Sequence, residues 1–171
     1  MHAWRRKRLE RVILTESRPL LEGRQMAVEL GRAGVPVTLI VNAAMLEAMR
    51  AADVALAGAD AVTVQGVVNK TGTALLALTA RACRKPIYAV CSSEKLLPAG
   101  LKLAGEPLRD PGEILPRRSP GVTVMNRYFD LTPLGQLTGI ITEAAVLSPA
   151  EVRHLLRRSA VHPALSSVQG S

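Results

Sequence analysis

The sequence predicts an α/β domain in which a mostly parallel sheet carries helices on both faces. Three observations point there. Short β-branched runs alternate with amphipathic runs over the first 130 residues, the pattern of strands covered by helices. Each candidate strand is almost continuously apolar, as strands buried on both faces must be. The apolar fraction of 48% is aliphatic, with Trp4, Tyr88, Tyr128 and Phe129 the only aromatics.

In chain order, residues 1–10 form a basic extension with Arg5, Arg6, Lys7 and Arg8, and residues 11–158 form the folded domain. Strands are expected at 12–15, 37–41, 54–57 and 87–90. A helix over 21–33 places Met26, Ala27, Leu30 and Ala33 at helical spacing, and Gly34 stops it. A second helix covers 43–51. A third, over 71–83, is apolar on more than one face through Leu75, Leu76, Leu78, Ala80 and Ala82, which suits a second layer or a partner subunit. Residues 92–120 are rich in proline and glycine and read as a long irregular connection. Short strands follow at 122–125, in "YFDLT" and in "GIIT". A last helix spans 149–157, with Ser148 as N-cap and Pro149 at its first position. Residues 159–171 read as a disordered tail.

The formal charge of +8 is concentrated toward the two ends of the chain. It permits anionic partners, but the scarcity of interleaved aromatics argues against a nucleic-acid surface. Cys83 and Cys91 are too few and too widely spaced for a zinc site. No stretch reads as a signal peptide or membrane span, so a cytoplasmic protein without cofactor or metal is expected.

Ligands of open α/β sheets bind outside the carboxyl ends of the strands. Four loops converge there: "TESRP", Asn42, "GAD" and "CSSEK". Asp60, in the Gly-Ala-Asp turn, reads either as a general acid/base or hydroxyl acceptor, or as a turn residue bonding its own backbone. Asn69 and Lys70 precede the third helix, whose free N–H groups and partial positive charge suit a phosphate. Asn69 or Thr71 as a helix cap is the plainer alternative, and the spacing is not that of a Walker P-loop. Arg18 suits a bidentate phosphate contact, whereas Arg24 reads as solvated surface. Cys91 lies at the same edge, but no histidine falls in these loops to activate it.

Three stretches, "VILTESRPLLEGRQMAVELGRAGVPVTLI", "GADAVTVQGVVNKTGTALLALTARACRKPIYAV" and "YFDLTPLGQLTGIITEAAV", together resemble the C-terminal domain of the initiation factor 2B family. That family includes the alpha, beta and delta subunits of eukaryotic initiation factor 2B, methylthioribose-1-phosphate isomerase and ribose-1,5-bisphosphate isomerase. The resemblance implies a Rossmann-like domain that dimerises and holds a sugar phosphate or nucleotide at the carboxyl edge. It would make Asp60 the acid/base, and Asn69 and Lys70 the substrate-holding pair.

Departures are also visible. The isomerases' catalytic cysteine lies on a strand upstream of the ESRP strand and has no counterpart here; nor does their helical N-terminal domain. Glu22 stands where the isomerases tend to carry a substrate-contacting glutamine, and Asn42 replaces a usual aspartate. The expected function is therefore a regulatory or non-catalytic, dimeric member of this family that binds a phosphorylated sugar or nucleotide through Arg18, Glu22, Asn69 and Lys70. The alternatives are an aldose-ketose isomerase of a phosphorylated pentose using Asp60, and a protein-interaction module built on the apolar third helix.

Overall fold

The computed structural model describes residues 2–101, 103 and 105–161. Strands β1 (Val12–Thr15) and β2 (Val37–Ile40) pair in parallel, Val12 opposite Val37, and helix α2 (Glu22–Arg32) crosses between them. A short helix α1 (His2–Arg5) precedes this unit and buries nothing. After β2 come a 3-10 turn at Asn42–Ala44 and helix α3 (Met45–Ala51). Strand β3 (Ala55–Gly58) pairs in parallel with β6 (Ile87–Val90), which pairs in parallel with β8 (Gly139–Ile141); β9 (Val146–Leu147) closes that sheet antiparallel.

The expectation of a mostly parallel sheet is corrected by a third sheet, which is wholly antiparallel. Strands β4 (Ala61–Val62) and β5 (Gly66–Lys70) form a hairpin, and β5 pairs antiparallel with β7 (Phe129–Pro133). Thr63 makes the turn: its N–H donates to the Gly66 carbonyl at 2.9 Å, and its hydroxyl accepts from the Gly66 N–H at 3.2 Å. A chain that reverses this tightly can only pair antiparallel. The architecture is therefore mixed α/β.

Helix α4 (Thr73–Ala82) is built of good helix formers and buries Thr73, Ala77 and Ala80. Leu75 and Leu78 stay about half exposed, at 47% and 51%. Helix α5 (Pro149–Arg158) starts as expected: the Ser148 side chain accepts from the Glu151 N–H, and Glu151 bonds back to the Ser148 N–H. The core joins the sheets to these helices through Val62, Val67, Ala77, Ile140, Val152 and Leu156. No helix among the described residues is long and apolar enough to cross a membrane.

The connection after β6 is irregular, as expected, apart from 3-10 turns at Ser93–Lys95 and Pro111–Glu113. The strand expected at 122–125 does not form. Among the described residues it has no ladder partner, and Val122 and Met125 remain exposed. The connection is instead pinned by side chains. Asn126, 2% exposed, donates from Nδ2 to the Asp110 carbonyl at 2.8 Å and to Glu113 Oε2 at 2.6 Å. Of the expected tail, residues 162–171 lie outside the described residues; the Ser159 N–H still bonds the Leu155 carbonyl.

Candidate functional site

The site begins with a close contact. A Cβ at Gly23 would lie 1.8 Å from the Thr15 carbonyl oxygen, so only glycine lets α2 start hard against the end of β1. That start places Glu22 over the carboxyl edge. Ser17, in the left-handed region at φ 60, donates its N–H to Asn42 Oδ1 at 3.0 Å and ties the ends of β1 and β2 together.

Lys70 closes the cluster from β5. Its Nζ lies 2.6 Å from Glu22 Oε1, and 5.2 and 5.7 Å from the ring centroids of Tyr128 and Phe129. Two aromatic faces and one carboxylate therefore hold the ammonium. Burial pushes the Glu22 carboxyl up, but hydrogen bonds from Lys70, its own backbone and Ser17, with the Lys70 charge, outweigh it and hold the group below its ordinary value.

Asn69 and Lys70 are the last residues of β5, so they do not cap a helix; α4 opens two residues later than expected, at Thr73. Asn69 Nδ2 donates to Thr73 Oγ1 at 2.9 Å, and that hydroxyl donates to the Lys70 carbonyl at 2.7 Å. The helix start is also not an open anion seat. Asp130, on β7, accepts from the Gly72 N–H at 2.7 Å and from the Ala74 N–H at 3.3 Å, so an internal carboxylate already occupies it. Burial raises the Asp130 carboxyl above its usual value, against the lowering by these backbone donors. Sequence reasoning missed Asp130; its signal was an acid within an otherwise strand-like "YFDLT".

Asp60 lies two residues past β3, exposed, with its N–H bonded to the Val68 carbonyl at 2.9 Å. Continuing the β4–β5 register puts it opposite Asn69. Its carboxylate makes no hydrogen bond or ion pair among the described residues, so it does not close its own turn. Arg18 donates to the Glu113 carbonyl at 3.0 Å, and Arg24 pairs with Glu16 at 2.6 Å while staying 56% exposed. The fourth loop leaves β6 beside the Gly-Ala-Asp turn, Val90 pairing with Gly58; in it Ser93 binds Glu143, and the Cys91 N–H bonds the Ile141 carbonyl. Burial and the Glu143 charge push the Cys91 thiol up, against the nearby Lys95.

Beside this cluster lies a cleft of about 540 Å³ lined by Arg18, Asn42, Thr71, Asn126, Phe129 and Asp130, among others. Glu113, whose carboxylate binds Tyr128 and Asn126, secures its outer wall. Arg18 and Arg127 supply the cleft's cationic groups, Asn42 and Thr71 neutral polar groups, Asp130 a carboxylate already bonded to the start of α4, and Phe129 an apolar wall, while Lys70 lies beside the cleft and not in its lining. The combination suits a polar anionic ligand with a carbon skeleton.

The chain is similar to ribose 1,5-bisphosphate isomerase of Thermococcus kodakarensis, at 36% identity over 163 residues that cover 91% of this chain and 51% of that one. Among solved structures, it is similar to 5-methylthioribose 1-phosphate isomerase of Pyrococcus horikoshii, with a TM-score of 0.81, 34% identity, and coverage of 90% of this chain and 46% of that one. It is also similar to the translation initiation factor eIF-2B of Pyrococcus horikoshii, with a TM-score of 0.75, 38% identity, and coverage of 86% and 52%. The chain thus spans about half the length of the relatives it matches. The Initiation factor 2 subunit family matches over residues 1–149, and with the fold and these identities in agreement the chain belongs to that family.

Proposed function

We propose that this chain binds a phosphorylated sugar or nucleotide at the carboxyl edge of its sheets and acts as a dimeric, regulatory member of its family. The observation that carries the reading is the meeting of Lys70, Glu22, Ser17 and Asn42 from three separate strand ends, beside a cleft that Arg18 lines. Lys70 and Arg18 hold the phosphoryl group; Asn69, opposite Asp60, positions a sugar hydroxyl. Binding is favoured over catalysis because burial and the Glu143 charge disfavour the thiolate of Cys91, the cysteine at this edge. Half-exposed Leu75 and Leu78 on α4 supply the apolar contact for a second copy. A crystal structure grown with ribose 1,5-bisphosphate tests this: a phosphoryl group between Lys70 and Arg18 is expected, and an empty edge contradicts it.

One observation favours a second reading, aldose-ketose isomerisation. The Asp60 carboxylate is exposed and unengaged, as a group that takes a proton from one sugar carbon and returns it to the next must be, and relatives of this chain carry isomerase names. A coupled assay with ribose 1,5-bisphosphate and methylthioribose-1-phosphate separates the two: turnover lost in Asp60→Asn supports isomerisation.

A further inference from the structure

The amino ends of β6 and β8 carry a second polar recess, away from the edge just described. It is an open depression of about 290 Å³ lined by Arg81, Arg84, Lys85, Gln136 and Thr138, with Ile87 and Leu137 beside them. No carboxylate lines it, and none of the ion pairs among the described residues involves its three cations. Arg153 of α5 lies nearby, outside the lining, with Nη2 3.8 Å from where a Cβ on Gly135 would sit.

Part of this charge answers the C-terminus of α4, which carries about half a negative charge; three cations exceed that need. Arg84 is the telling one. It sits at φ 54 one residue beyond the Cys83 C-cap of the helix. Its N–H bonds the Arg81 carbonyl at 3.0 Å and the Lys85 N–H bonds the Ala80 carbonyl at 2.9 Å, the termination at which glycine is the ordinary residue. A long cationic side chain is kept there against the backbone's preference. Independently, Gln136 Oε1 is buried without a hydrogen-bond partner among the described residues, although a buried acceptor costs stability when unpaired. The Thr138 hydroxyl, which accepts from the Ile87 N–H at 3.0 Å, has its own hydrogen free to donate.

We infer that this recess binds a small phosphate ester. The phosphoryl group sits among Arg81, Arg84 and Lys85, and a rotation of the Gln136 side chain brings its buried oxygen to a ligand hydroxyl or amino hydrogen. Planar guanidinium groups match phosphoryl oxygens in pairs, and the recess has room for a compact ligand. The site is separate from the one assigned to Lys70 and stands or falls without it.

The test is a titration of the isotope-labelled chain with glycerol 3-phosphate, following backbone amides by NMR. Shifts at Ile87, Gln136 and Thr138 are expected, unchanged in Lys70→Ala and weakened on the order of tenfold in Arg84→Gly, as loss of one charge-assisted contact implies. Glycine suits the backbone at this position, so Arg84→Gly keeps its fold and the loss is read as lost binding. Shifts that survive Arg84→Gly, or that fall only in Lys70→Ala, overturn the proposal. A short single-stranded RNA that shifts these amides where glycerol 3-phosphate does not would overturn it in favour of a nucleic-acid surface.

Discussion

Lys70 Nζ and Glu22 Oε1 stand 2.6 Å apart, joining the end of β5 to the first residue of α2 across the carboxyl edge. The cation expected to meet a phosphate is thus already neutralised by a carboxylate of the same edge. Any phosphoryl group arriving there competes with Glu22.

Replacing Glu22 by Gln therefore strengthens phosphate binding. Removing one like charge at a half-exposed pair is worth at most ~1 kcal/mol, or up to about fivefold in affinity. Calorimetry with methylthioribose-1-phosphate checks it, and unchanged or weaker binding contradicts it.

The same pair has a pH signature. Because the Glu22 carboxyl is held below its ordinary value in the folded chain, its stabilisation is present above the unfolded value of about 4.3 and is lost as pH falls through the lowered folded value. The pair is partly exposed, so solvent screening keeps the contribution within ~1 kcal/mol. Urea unfolding should show the chain more stable than its Glu22→Gln variant at neutral pH, and the gap closing in acid.

Gly23→Ala should destabilise the fold by about 1–3 kcal/mol through overpacking, although alanine ordinarily favours a helix by roughly 0.5–1 kcal/mol. The Thr15 carbonyl oxygen, 1.8 Å from the added Cβ, reverses the sign. Thermal or urea unfolding reads the result.

Asp130→Ala should cost about 1 kcal/mol, the ordinary price of losing an N-terminal cap. Gly72 and Ala74 lose their acceptor, and amide exchange in the first turn of α4 should accelerate more than exchange near Ala80.

Cys91 should react slowly with iodoacetamide. In a Cys83→Ser background, the rate should keep rising with pH beyond the range of an ordinary thiol, since burial and Glu143 disfavour the thiolate. A rate already at its plateau in neutral solution would contradict this.

Strands β1, β2, β3 and β6 were legible because each is a compact apolar run with a helix next to it in sequence: β1, α2 and β2 fall within two residues of their expected bounds. The β4–β5 hairpin was not, although "AVTVQGVV" alternates as a strand does. Its longer strand ends in polar Asn69 and Lys70, and its partner β7 lies some sixty residues further on. The pairing of Lys70 with Glu22, the cap that Asp130 gives α4 and the bond from Arg18 to the Glu113 carbonyl are all long-range. No local pattern announces them. The residue types of the site were legible; which charges neutralise one another was not.

The central claim is that Lys70 holds a phosphoryl group at the carboxyl edge. Calorimetric titration of the chain and its Lys70→Ala variant with ribose 1,5-bisphosphate, methylthioribose-1-phosphate and nucleoside monophosphates tests it most directly. Binding of at least one of these, weakened on the order of tenfold or more in the variant as loss of a charge-assisted contact requires, is the result predicted. Absence of binding by all of them, or binding indifferent to Lys70, would contradict it.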